Sequence, residues 1–133
     1  MRKRIMSTFL TLVLLAALIM PVTISDAAGP SFENGVYGAT VGDGVWLIDL
    51  KKSGSNKVEI GIAWSDASSA FGTVKPFKKK IKSTIKFSVT GNYLNPDKTV
   101  SDKTLTISGS IKLKGKKLKC KINGESFTAN YAP

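Results

Sequence analysis

Residues 105–129 read LTISGSIKLKGKKLKCKINGESFTA, and the rest of the fold follows from them. Leu105, Ile107, Ile111 and Leu113 alternate with Thr106, Ser108, Ser110 and Lys112, the period-two pattern of strands with one buried face. Leu118, Cys120 and Ile122 alternate in the same way with Lys117, Lys119 and Lys121. A two-residue turn at Gly115-Lys116 pairs Leu113 with Leu118 and Ile111 with Cys120. A second turn at Asn123-Gly124, the dipeptide favoured by type I′ hairpins, pairs Cys120 with Phe127 and Leu118 with Ala129. The two turns are independent, and both registers keep the apolar residues on one side.

The same period runs upstream. Residues 35–41 (GVYGATV) read as a first strand. Residues 45–51 and 57–64 read as a hairpin around Ser53-Gly54-Ser55-Asn56. One face of that hairpin carries Trp46, Ile48, Leu50, Val58, Ile60, Ile62 and Trp64. The other carries Asp49, Lys51, Lys57 and Glu59, but also Val45, Leu47 and Ala63. Its Trp46 end is apolar on both sides and is expected to be covered. Residues 65–70 read as a loop, 71–74 as a short strand ended by Pro76, and 77–93 as one long run. Leu94-Asn95-Pro96-Asp97 is a turn, because Pro presets one dihedral and Asn and Asp bond their own backbone.

These segments predict an all-β fold of about 7–8 short antiparallel strands with no amphipathic helix. Two architectures fit: a small up-and-down β-barrel or a two-sheet sandwich. Gly35-Val36-Tyr37 resembles the Gly-x-Trp opening of lipocalin-type barrels over three residues, with Tyr in place of Trp. The resemblance implies a barrel and transfers no ligand site.

The chain has 133 residues, 42% of them hydrophobic and 22% charged, with a single cysteine. That composition excludes a disordered tail and a disulfide scaffold. Arg2-Lys3-Arg4, an apolar run from Ile5 to Met20, Pro21 and the small residues Ser25 and Ala27 follow the order of a secretory signal peptide. The expected organisation is a signal at 1–27, cleaved near Ala27, and a single all-β domain at 28–133. The product would be secreted or held at the cell surface. An uncleaved anchor is the competing reading, since the run is almost long enough to span a bilayer. Beyond residue 27 the chain has seventeen lysines, no arginine and eight acids.

Histidine is absent, so neither a catalytic imidazole nor a histidine metal ligand is to be expected. The acids are scattered. Asp49 and Glu59 lie on one outward hairpin face beside Lys51 and Lys57, which reads as surface charge pairing. Ser65, Ser68 and Ser69 lack a base nearby in sequence. Cys120 sits in an apolar phase and is expected to be a buried, inert thiol. The reading is therefore non-enzymatic, with no cofactor and no metal; a hydrolase of unrecognised type is the remote alternative.

Lysine placement is the unusual feature. Lys112, Lys114, Lys117, Lys119 and Lys121 project from one face of a predicted hairpin, with Lys112 opposite Lys119 and Lys114 opposite Lys117. Lys78, Lys80, Lys82 and Lys86 repeat the pattern in the 77–93 run. Like charges placed opposite one another destabilise a sheet. Edge protection and an AT-rich genome are neutral explanations. The functional one is a surface for an anionic cell-wall polymer, such as teichoic acid or an acidic glycan, or for an anionic membrane. The lack of arginine beyond the signal argues against sequence-specific nucleic acid recognition. A second reading places a small apolar ligand, or a protein target, at a cavity lined by Trp46, Trp64 and Tyr93, as in a carrier or inhibitor of lipocalin-like barrel type.

Overall fold

The computed structural model describes residues 31–66 and 68–133. The expected signal segment at 1–27 lies outside the described residues. Among the described residues eight strands follow in order: β1 (Gly35–Val41), β2 (Gly44–Lys52), β3 (Lys57–Ser65), β4 (Phe71–Lys80), β5 (Thr84–Leu94), β6 (Val100–Lys114), β7 (Lys117–Ile122) and β8 (Glu125–Ala132). Each pairs antiparallel with the next, and β8 returns to β1 through Val36↔Ala132, Tyr37↔Tyr131 and Gly38↔Asn130. The result is a closed up-and-down barrel and not a sandwich.

The turns account for the registers. Asn123 and Gly124 both take positive φ, 50° and 84°, as a type I′ turn requires. That turn sets Cys120↔Phe127 and Leu118↔Ala129. The Gly115 turn, at φ 68°, sets Leu113↔Leu118, Ile111↔Cys120, Lys112↔Lys119 and Lys114↔Lys117. All six pairings match those derived from the turn chemistry.

Period two then sorts side chains into an inner and an outer set. Tyr37, Ile48, Leu50, Val58, Ile60, Ile62, Ile107, Ile111, Leu118, Cys120 and Ile122 are buried together. Burying one such aliphatic side chain contributes about 1.5–3 kcal/mol. The end of the barrel holding the first described residues is stoppered. Phe32 is buried there, and the Tyr37 hydroxyl donates to the Glu33 carbonyl at 2.7 Å. The Gly115 N–H donates to the Ser31 carbonyl at 3.1 Å, fastening the segment across the opening.

Two expectations fail on the same strand. The strand beginning at Phe71 does not end at Pro76 but continues to Lys80. On β3 Ile60 faces Phe77 and Ile62 faces Val74, so Gly61 stands opposite both Lys75 and Pro76. This is a β-bulge, where a proline's missing N–H is tolerated. Nor is 77–93 one run: it is divided at residues 81–83 between β4 and β5.

The bulge has a further effect. β4 and β5 pair only at Gly72↔Tyr93, Thr73↔Asn92 and Val74↔Gly91. Past Val74, residues 75–80 of β4 follow β3, while residues 84–90 of β5 follow β6. The barrel wall is split there by a seam. Behind it Phe77 and Phe87 meet with ring centroids 5.8 Å apart.

Candidate functional site

The four strands β5 to β8 make one wall, and their registers fix its outer face row by row. One row reads Lys86, Ser110, Lys121, Ser126; the next reads Thr84, Lys112, Lys119, Thr128; a third reads Lys114, Lys117, Asn130. Neighbours lie about 4.8 Å apart across the strands and about 6.7 Å along them. These rows hold lysines, hydroxyls and an amide, and no carboxylate. A shallow depression of about 480 Å³ runs over them, lined by Thr84, Lys112, Lys119, Lys121, Ser126 and Thr128 among others.

Of the second lysine group read from the sequence, only Lys86 enters these rows, so the two groups are not two equivalent strand faces. Lys112, Lys114, Lys117, Lys119 and Lys121 sit on the continuous wall. Lys78 and Lys80 are on β4, Lys82 is in the link and Lys86 is on β5, so this second group flanks the seam. A depression of about 380 Å³ there is lined by Lys79, Lys80, Lys82, Thr84, Ile85 and Lys86. Thr84, opposite Lys112, belongs to both depressions. Lys79 shares the inward parity of Phe77 and stands opposite buried Val58, so alternation assigns it to the inner face, yet it lines this depression beside the split wall.

The opposite wall differs in kind. Val36, Val45, Leu47 and Phe71, on β1, β2 and β4, are 36%, 37%, 43% and 56% exposed. The apolar outer face near Trp46, expected to be covered, is open among the described residues. Asp49 sits opposite Gly61, and Glu59 sits opposite both Lys51 and Lys78. Asp49 and Glu59 are thus not direct partners. Charge divides along the chain at the end of β3: residues 31–66 carry three lysines against five acids, and residues 67–133, β4 included, carry fourteen against three.

Trp46, Trp64 and Tyr93 do come together, at the unstoppered end. Trp64 lies 6.3 Å from Trp46 and 6.0 Å from Tyr93 between ring centroids. Trp64 itself is core, 5% exposed. A Cβ on Gly72 would fall 2.0 Å from its ring and one on Gly91 2.6 Å away, so these two glycines make room for the indole. Above it opens a depression of about 420 Å³ that also includes Asp43, Asp66 and Glu125. Asp66 Oδ1 accepts from the Ser68 hydroxyl at 2.6 Å and from the Ser68 and Ala70 N–H groups at 3.0 Å. Those bonds, the Ser68 hydroxyl's foremost, hold its carboxyl below the usual range. The Lys103 ammonium lies 5.4 Å from the Tyr93 ring centroid.

Cys120 is buried, with its sulfur 3.7 Å from the Leu118 carbonyl. Burial pushes its thiol up to about 12, far from a thiolate nucleophile.

No family model matches this chain, and no curated protein or solved structure is significantly similar to it. The three-residue lipocalin resemblance gains no support from these comparisons.

Proposed function

We propose that this is a secreted or cell-surface, non-enzymatic binding module held on an anionic polymer by its lysine wall. The partner class is a teichoic-acid-like polymer of phosphodiester-linked alditols or an acidic glycan, with an anionic membrane surface as the related possibility. One observation carries the reading. Lys112 faces Lys119 and Lys114 faces Lys117, with only hydroxyls and an amide around them and no acid to relieve them. An arrangement that costs stability is best explained by a ligand that supplies the missing negative charge. Lysine suits this role, because a flexible point charge tracks a phosphate chain without demanding bidentate geometry.

The test is retention on polyphosphate-coated resin. Binding should fall steeply with salt, because the Debye length shrinks from ~10 Å at 0.1 M to ~3 Å at 1 M. Changing Lys112, Lys114, Lys117, Lys119 and Lys121 to Gln should release the protein, at about 1 kcal/mol for each lysine. A control variant at Lys51, Lys52 and Lys57, near Asp49 and Glu59, should lose less per residue. Equal loss per lysine would reduce the effect to net charge and remove the site.

A second reading rests on the aromatic mouth. Its rim acids Asp43, Asp66 and Glu125 favour a small cation over the apolar ligand expected from the tryptophans alone. Quenching of Trp46 fluorescence by tetramethylammonium, but not by its neutral isostere neopentane, would support it.

A further inference from the structure

The seam between β4 and β5 is a bounded slot, not a frayed edge. Its upper end is the last β4–β5 pair, Val74↔Gly91. Its lower end is the 81–83 link, tied on both sides: the Ile81 N–H donates to the Asn56 carbonyl at 2.8 Å, and the Leu113 N–H donates to the Ser83 carbonyl at 2.9 Å. Between these ends, residues 75–80 and 84–90 each have a strand partner on one side only among the described residues. Such edges present backbone N–H and C=O groups that template a further strand. The Phe77–Phe87 contact closes the core behind the slot, so an occupant would lie along the edge and not enter the barrel.

Charge specifies the occupant. Lys75, Lys78, Lys79, Lys80, Lys82 and Lys86 surround the slot, and the sequence holds no carboxylate between Asp66 and Asp97. Glu59, opposite Lys78 on β3, is an acidic neighbour. A second copy of this edge would bring like charges together and is repelled. An acidic chain is attracted by the same lysines, so one feature both excludes and selects. We infer that the seam is a strand-addition site for an extended acidic polypeptide segment, about six residues long, with carboxylates on alternate positions. This site goes beyond the lysine wall and uses backbone hydrogen bonds that a polyphosphate cannot supply as a strand.

The experiment uses the mature protein and three capped heptapeptides. The first alternates glutamate with threonine. The second has the same sequence N-methylated at alternate residues, which keeps the charge and removes edge donors. The third has lysine in place of glutamate. Binding is read by fluorescence anisotropy, and backbone protection by hydrogen exchange. The acidic peptide should bind and slow exchange of amides within 75–80 or 84–90. The N-methylated peptide should bind about tenfold more weakly or worse, the equivalent of losing one or two net hydrogen bonds. The lysine peptide should not bind. The five-lysine wall variant should keep peptide binding while losing polyphosphate, so failure at one site is distinguishable from failure at the other. Absent binding, equal affinity of the N-methylated peptide, or unchanged exchange at the seam in the bound state would each overturn the inference.

Discussion

The double variant Lys117→Gln, Lys119→Gln should be more stable than the natural sequence. It removes one member of each like-charge pair, Lys114↔Lys117 and Lys112↔Lys119, and leaves the ladder and the buried face of β7 untouched. A directly opposed like-charge pair costs a few tenths to ~1 kcal/mol, so relieving two returns about 1 kcal/mol. For a domain of this size that corresponds to an upward melting shift of about 5 °C. The assay is thermal unfolding at low salt and again at 1 M salt, where screening should shrink the difference. Lys78→Gln is the control: it also removes one positive charge, but Lys78 faces Glu59, so it should leave stability unchanged or slightly lower. Polyphosphate should raise the melting temperature of the natural protein more than that of the double variant. If the double variant melts with the natural protein at low salt, or Lys78→Gln is equally stabilising, the wall stores no local repulsion and the argument for its function collapses.

Four further outcomes follow. Cys120 should resist thiol reagents in the native state and react on unfolding; rapid labelling of folded protein, or a covalent dimer, would contradict its burial. Gly109→Ala should destabilise by about 3 kcal/mol, since its Cβ would meet the Lys121 carbonyl oxygen at 1.9 Å; a chemical-denaturation midpoint matching the natural protein would refute this. Asp66 and Asp97 are both held below the usual carboxylate range by hydrogen bonds, those from the Ser68 and Thr99 hydroxyls leading. Their contribution is complete above the unfolded value, about 3.9, and is lost as pH falls through the lower folded one, so residues 66–70 and 95–99 should loosen first in acid. Amide shifts of Ala70 and Thr99 that stay flat to pH 2 would count against it. The mature protein should begin within one residue of Ala28 by intact mass, and a full-length membrane-retained product would overturn the export reading.

The parts legible in the sequence are those in which a few adjacent residues constrain the backbone. Asn123-Gly124 and Gly115 carry their dihedral demands locally, so the β6–β7–β8 registers followed. The bulge at Lys75-Pro76 was hidden because it depends on Gly61 standing opposite, a partner chosen by the whole β3–β4 ladder. The seam was hidden with it, and so was the splitting of 77–93, since Lys78, Lys80, Lys82 and Lys86 keep one parity straight through the link. Closure was hidden for a different reason: Val36↔Ala132 joins the two ends of the domain, and alternation alone leaves barrel and sandwich equivalent. Core filling and a cavity wall both suit Trp64 in the sequence, because Gly72 and Gly91, which make room for its ring, lie on two other strands.

Closing the barrel by pairing its first strand with its last imposes an order in time. β8 begins at Glu125, ninety residues after β1 begins at Gly35. At ~5–20 residues per second, a ribosome needs on the order of 5–18 s to traverse that interval. Throughout it β1 has no β8 to pair with, and the hydroxyl of Tyr37 cannot settle against Gly115 until β6 and its turn have been made. A chain delivered N-terminus first, from a ribosome or through an export channel, therefore cannot reach its final topology until the last eight strand residues arrive as the latch.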